Sequence, residues 1–131
     1  MNNFKSEFKI NCHQEEILPT ITRLKKEFEK INHNIQDLNF RVEMAAREML
    51  ANAIKHGCQS EEEIIEIKLK TSPSKITLQV IDPGKGFDWE NADFTISLFE
   101  GEGIGLGMIN QAADKIEFNE KGNIITAYFW T

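Results

Sequence analysis

The sequence predicts an α+β protein, a two-layer sandwich in which a mixed, mainly antiparallel sheet carries its helices on one face. Three observations predict it. Short segments of alternating apolar and polar residues come in pairs joined by turn residues, as hairpins do. Two longer segments repeat their apolar residues at three- and four-residue steps, as amphipathic helices do. The two helical segments follow one another instead of alternating with strands, so a parallel βαβ sheet is not expected.

The first element is a half-buried strand, in which Phe4, Ser6, Phe8 and Ile10 share one face and Lys5, Glu7 and Lys9 the other. Ile17, Ile21, Leu24, Phe28 and Ile31 then mark a first helix, with Pro19 tolerated only near its first turn. After the polar break Asn32-His33-Asn34, a second helix is expected from Asp37 to His56. Leu38, Val42, Ala45, Met49 and Ala53 face its core side, Asp37 is the expected N-cap and Gly57 the expected C′ residue. Ile65, Ile67 and Leu69 alternate with Glu66, Lys68 and Lys70, and Ile76, Leu78 and Val80 alternate after the turn Thr71–Ser74, giving a hairpin. Residues 87–102 carry no clear period and no Lys or Arg, and a long irregular segment in a small domain is more often functional than filler. A short helix around Ile109, Ala112 and Ala113 follows, and a last hairpin joins Lys115–Asn119 to Ile124–Trp130.

With 131 residues, 40% of them hydrophobic and 27% charged, one domain spanning 1–131 is expected. No apolar run is long enough to span a bilayer, and the polar opening Met-Asn-Asn-Phe-Lys is unlike a signal peptide, so no membrane association is expected. Cys12 and Cys58 form neither a CxxC nor a His/Cys cluster, which argues against structural zinc and a disulfide scaffold. Two inert, reduced thiols in a cytoplasmic protein are the expectation. The first 60 residues carry nine basic and eight acidic side chains, whereas the remaining 71 carry six and thirteen. Such an acidic half is a poor electrostatic partner for phosphate backbones, so direct nucleic-acid binding is not expected.

Glu48, Asn52 and His56 stand at i, i+4 and i+8, which on an α-helix lines them along one stripe. A carboxylate and a carboxamide one turn apart suit a base and a metal-ion ligand, and suit an ordinary solvated face equally well. His56 is expected to close the helix at the mouth of any pocket and not to bind metal. Asp82-Pro83-Gly84-Lys85-Gly86 at a strand end is an ordinary tight turn on one reading. On the other it is a carboxylate that accepts a hydrogen bond from an exocyclic amine, above glycines that admit a flat base. Gly103-Ile104-Gly105-Leu106-Gly107 precedes a helix and can present backbone N–H groups to an anion. It is neither a P-loop nor a dinucleotide fingerprint, having no following Gly-Lys-Ser/Thr and no βαβ setting.

The order of these motifs is more specific than any one of them. Glu48, Asn52-Ala53, Lys55-His56-Gly57, then Asp82-x-Gly84-x-Gly86, then Gly103-x-Gly105-x-Gly107 resembles the N, G1 and G2 boxes of the GHKL (Bergerat-fold) ATPases. A short chain that opens with a strand and two helices is similar, within that superfamily, to the anti-sigma-factor serine/threonine kinases of bacterial partner-switching systems. The resemblance implies ATP and Mg²⁺ as cofactors, with Asn52 ligating Mg²⁺ and Glu48 taking the proton of an attacking serine hydroxyl. It implies that Asp82 binds the adenine amino group over Gly84 and Gly86. Gly103, Ile104, Gly105, Leu106 and Gly107 would hold the phosphates, with Lys55 as a further phosphate contact and residues 87–102 as a lid.

The implied function is that of an ATP-dependent kinase that phosphorylates a STAS-domain anti-anti-sigma partner and sequesters a sigma factor, and the resemblance also implies a homodimer. Two alternatives remain open. One is a nucleotide-binding switch module without efficient phosphotransfer, suggested by the wholly non-basic 87–102 segment and by the absence of threonine directly after Gly122. The other is a free-standing histidine-kinase-type ATPase domain.

Overall fold

The computed structural model describes residues 4–30, 37–84, 109 and 111–131. Within them, β1 (Phe4–Asn11) leads through a single 3₁₀ turn (Gln14–Glu16) into α1 (Ile17–Phe28). Next come α2 (Leu38–Asn52), the hairpin of β2 (Ile64–Ser72) and β3 (Lys75–Ile81), and the hairpin of β4 (Lys115–Phe118) and β5 (Ile124–Trp130). The strands form one sheet of order β1-β2-β3-β5-β4, and every described pairing is antiparallel. The expected two-layer α+β architecture is the observed one.

Register explains why one face of the sheet is dry. Phe8 lies opposite Ile67, Ile67 opposite Val80, and Val80 opposite Ile125, so apolar residues of four strands form a continuous row. A second row runs Leu69, Leu78, Ala127. Because side chains alternate, the lysines and glutamates between them fall on the other face, and one such face can remain in water when all strands are antiparallel. The helices cover the dry face. From α1 come Ile21, Leu24 and Phe28, and from α2 come Leu38, Val42, Ala45, Ala46, Met49 and Leu50, all buried. Each set recurs at helical spacing, so burial of one stripe per helix accounts for its position. Pro19 occupies the first turn of α1, where its missing N–H has no helical partner to lose.

Three local expectations need correction. Asp37 stands at the N-cap position but makes no side-chain cap bond; its backbone is left-handed, at φ 57°, and its carboxylate lies 3.6 Å from Arg41 Nε. The α-helix stops at Asn52, and Ala53–Gly57 continue as a π-helical turn. A π turn advances less per residue than the roughly 100° of an α-helix, so the stripe through Glu48 and Asn52 does not run on unchanged to His56. Gly57 is also not a left-handed C′ residue: among the described glycines only Gly122 has positive φ, at 80°.

The cysteines are corrected too. Cys12 and Cys58 form a disulfide, with Cα atoms 5.9 Å apart. Pairing of β1 with β2 carries the chain past Asn11 alongside the segment leading into Ile64, and Cys12 N–H donates to the Glu63 carbonyl at 3.0 Å. That pairing brings the end of β1 beside the end of the second helix. Two thiols 46 residues apart thereby come within bridging range, which no spacing rule in the chain announces. Among the described residues no helix is long and apolar enough to cross a membrane.

Candidate functional site

The second helix delivers its polar residues to one end of the sandwich, where β3 also ends. Glu48 and Asn52 are partly buried near the C-terminus of α2, while Lys55 and His56 are exposed on the π turn. Asp82 follows β3 directly, and Gly84 lies two residues beyond it. These are the described members of the expected site. Gly86, Gly103, Ile104, Gly105, Leu106, Gly107 and the 87–102 segment lie outside the described residues.

The helix end and the strand end meet at glycine. A Cβ placed on Gly57 would clash with the Asp82 side chain at its Cβ and carboxyl group, and one placed on Gly84 would lie 2.6 Å from the Gly57 carbonyl oxygen and 2.8 Å from its Cα. Gly57, Asp82 and Gly84 are therefore in mutual contact that only hydrogen at two of the three positions allows. The Gly84 N–H donates to Asp82 Oδ1 at 2.8 Å, fixing the carboxylate in an Asx-type turn.

Burial pushes the Asp82 carboxyl above the usual carboxylate range. The Gly84 N–H draws it back, Glu63 raises it further, and His56 lowers it. A raised folded-state value means that the fold favours the protonated acid. The stabilising contribution is then complete below the unfolded value of about 3.9 and is lost as pH rises through the folded value. Asp82→Asn is accordingly expected to gain stability over the native protein as pH rises from about 4 to neutrality. Urea unfolding of both proteins across that range checks it. A stability gap independent of pH would show that the carboxyl is not desolvated.

Glu63 also shapes the segment after the helix. Its Oε1 accepts the N–H groups of Gln59 at 2.6 Å and Ser60 at 3.0 Å, folding the connection over the disulfide. On the far side, Asp82 is held by the β4–β5 turn: its N–H donates to the Asn123 carbonyl at 2.9 Å, and Asn123 Nδ2 donates to the Asp82 carbonyl at 3.3 Å. Sequence reasoning missed Glu63, Asn119 and Asn123, because a glutamate in an acidic run and asparagines in a turn look like ordinary solvated residues.

Among the described residues no group of three or more His, Cys, Asp or Glu could hold a metal ion. A cation held by Asn52 and by ligand phosphates needs no such cage, since Mg²⁺ commonly keeps one or two protein oxygens and takes the rest from phosphate and water. The missing side chains of Gly57 and Gly84 let the helix end and the strand end close on Asp82, since the space that a Cβ would need at either glycine is filled by the protein itself.

A helical layer that covers one face of an antiparallel sheet, and whose last turn closes at Gly57 on Asp82 and Gly84, makes this an α+β domain with the candidate residues gathered at one end. The family model described as "Histidine kinase-like ATPase domain" matches residues 14–129, and the chain belongs to that family. Its ATPase description implies ATP as the nucleotide. The chain is also similar to the anti-sigma F factor of Thermoanaerobacter sp. (strain X514) and to that of Thermoanaerobacter pseudethanolicus (strain ATCC 33223 / 39E). Each is 36% identical over 92 residues, covering 64% of this chain and 64% of the relative. The catalytic domain of the histidine kinase ThkA shares the fold, with a TM-score of 0.57 at 19% identity over 95% of this chain and 97% of that one.

Proposed function

We propose that the protein is an ATP-dependent serine/threonine protein kinase that serves as an anti-sigma factor in the cytoplasm. The single observation that carries nucleotide recognition is the Gly57–Asp82–Gly84 contact at the end of α2. The likeness to two anti-sigma F factors supports the regulatory role, and these relatives are matched over 64% of their length.

On this reading the carboxylate of Asp82 accepts the adenine amino group, and Gly84 and Gly86 form the floor beneath the ring. Gly103, Ile104, Gly105, Leu106 and Gly107 hold the phosphates with backbone N–H groups, and Lys55 adds a charge contact. Mg²⁺ at Asn52 would neutralise phosphate charge and fix the γ-phosphoryl group in line with its acceptor. Glu48, one helical turn before Asn52, accepts the proton as a serine oxygen of a STAS-domain partner bonds to phosphorus and ADP departs. The unphosphorylated partner would compete with a sigma factor for the kinase, and its phosphorylation would remove the competitor. β1 has one sheet neighbour among the described residues, and its other edge would suit a homodimer.

Glu48→Gln keeps size and loses the base. It is expected to bind ATP nearly as well as the native protein while transfer to the partner falls by about 10²–10⁴-fold. Phosphoserine on the STAS partner after incubation with Mg·ATP provides the measurement. Transfer by the variant at the native rate would remove Glu48 from the chemistry.

The absence of Lys and Arg from residues 87–102 favours a second reading, a switch that binds nucleotide and partners without efficient transfer. Under it a folded, ATP-bound native protein leaves its partner unphosphorylated yet still exchanges it for the sigma factor.

A further inference from the structure

The turn between β4 and β5 is built around two asparagines, Asn119 and Asn123, and the second of them meets the backbone of Asp82. Asn119 Oδ1 accepts three successive N–H groups, from Gly122 at 2.8 Å, Asn123 at 3.0 Å and Ile124 at 3.1 Å. Asn119 Nδ2 donates to Asn123 Oδ1 at 2.6 Å, which orients the second carboxamide. Gly122, at φ 80°, supplies the left-handed step that brings the three N–H groups to one point.

This arrangement changes how β5 meets β3. The last described pair of the ladder is Ile81 with Ile124, so Asp82 and Asn123 form the next opposed pair. In a hydrogen-bonded antiparallel pair each residue gives its N–H to the other's carbonyl. Here Asp82 N–H still reaches the Asn123 carbonyl, at 2.9 Å. The reciprocal donor has been diverted, because Asn123 N–H is taken by Asn119. The Asn123 side chain replaces it, giving Nδ2–H to the Asp82 carbonyl at 3.3 Å. Both backbone polar groups of Asp82 are thus fixed by one residue, one residue past the end of the strand, where the chain would otherwise begin to fray.

We propose that Asn123, held by Asn119, is a positioning residue that aims the Asp82 carboxylate at the exocyclic amine of adenine and so sets base selectivity. The inference rests on the reading of Asp82 as the adenine acceptor. With the backbone of Asp82 clamped on the β5 side and its Oδ1 held by Gly84 N–H, the carboxyl plane has little freedom, and a preorganised acceptor discriminates between a base that can donate and one that cannot. The two asparagines act at a distance from the ligand, through main-chain geometry alone.

The test compares two nucleotides, ATP and purine riboside triphosphate, which lacks the exocyclic amine, by equilibrium titration on the full chain. The native protein is expected to prefer ATP. Asn123→Ala, and more strongly Asn123→Asp, which sets an acceptor against the Asp82 carbonyl, are expected to weaken ATP binding about tenfold and leave the analogue unchanged. Asn119→Asp keeps the triple acceptor but sets a carboxylate oxygen against Asn123 Oδ1 in place of the Nδ2 donor, so it and Asn119→Ala are both expected to lose the native preference. Retention of it by both would show that Asn119 does not hold Asn123. An equal loss for both nucleotides in Asn123→Ala would mean a merely structural turn and would overturn the inference. Asp82→Asn separates the premises: if it keeps the native preference, the adenine reading of Asp82 fails and the inference with it. If Asp82→Asn loses the preference while both Asn123 variants keep it, only the positioning role fails. Thermal melts identify any variant that has unfolded, and the Asn119 pair then decides the question.

Discussion

Gly57→Ala is expected to weaken ATP binding at least about tenfold. The backbone at Gly57 is not in the left-handed region, so alanine suffers no conformational penalty there and the whole effect is steric. Its methyl group would clash with the Asp82 carboxyl, which belongs to a short side chain that is itself held by the Gly84 N–H. Retreat toward Gly84 is blocked, since Gly84 already packs against the Gly57 backbone. Either the end of α2 lifts off the strand or Asp82 turns out of the pocket, and both outcomes remove the acceptor from the base. Overpacking of this kind is expected to cost about 1–3 kcal/mol of stability and, through the lost acceptor, at least about tenfold in affinity. Fluorescent-nucleotide titration and urea unfolding on the same preparation measure the two effects. Native affinity in this variant would show that the helix end and the strand end do not form the pocket floor.

Reduction of the Cys12–Cys58 bridge is expected to lower the unfolding free energy by about 4 kcal/mol, the chain-entropy value for a closed loop of this length. The bridge encloses α1, α2 and the π turn, with its ends 46 residues apart. Opening it frees the denatured chain far more than the folded one, because β1 remains paired with β2 along its whole length. Urea unfolding with and without a dithiol reductant, together with Cys12→Ala, gives the value. Cys12→Ala and reduced native protein should agree in midpoint, and both should lie well below the oxidised protein. Coincident curves for all three would mean that the bridge adds nothing to stability. A cytoplasm keeps most thiols reduced, so alkylation of the protein at the moment of cell lysis would show directly which form the cell contains.

Strands and helices were legible because their pattern is local. Alternation along Ile65–Leu69 and Ile76–Val80, and helical spacing from Leu38 to Met49, each follow from burying one face of one element. Asp82 and Gly84 were legible as a motif, and the structure brings both against the end of α2. The expectations that failed concern residues whose meaning depends on a neighbour far away in the chain. Gly57 reads as a helix stop, since that is where glycine usually serves, yet its missing Cβ is required by Asp82. Asp37 reads as an N-cap, yet its backbone leaves the side chain directed at Arg41 instead of the first turn. Asn119 and Asn123 read as turn formers, which they are, and nothing in the residue types announces the clamp on Asp82.

By itself the sequence determined the α+β class, the order of elements and the apolar face of each. Periodic burial and turn chemistry act within about ten residues, so a linear reading can reach them. Only the tertiary structure decided that the second helix widens into a π turn, that Cys12 meets Cys58, and that Gly57, Asp82 and Gly84 close on one another. Those outcomes are set by strand register and by close packing between elements. A close fit between a helix end and a strand end leaves no periodic trace in the chain.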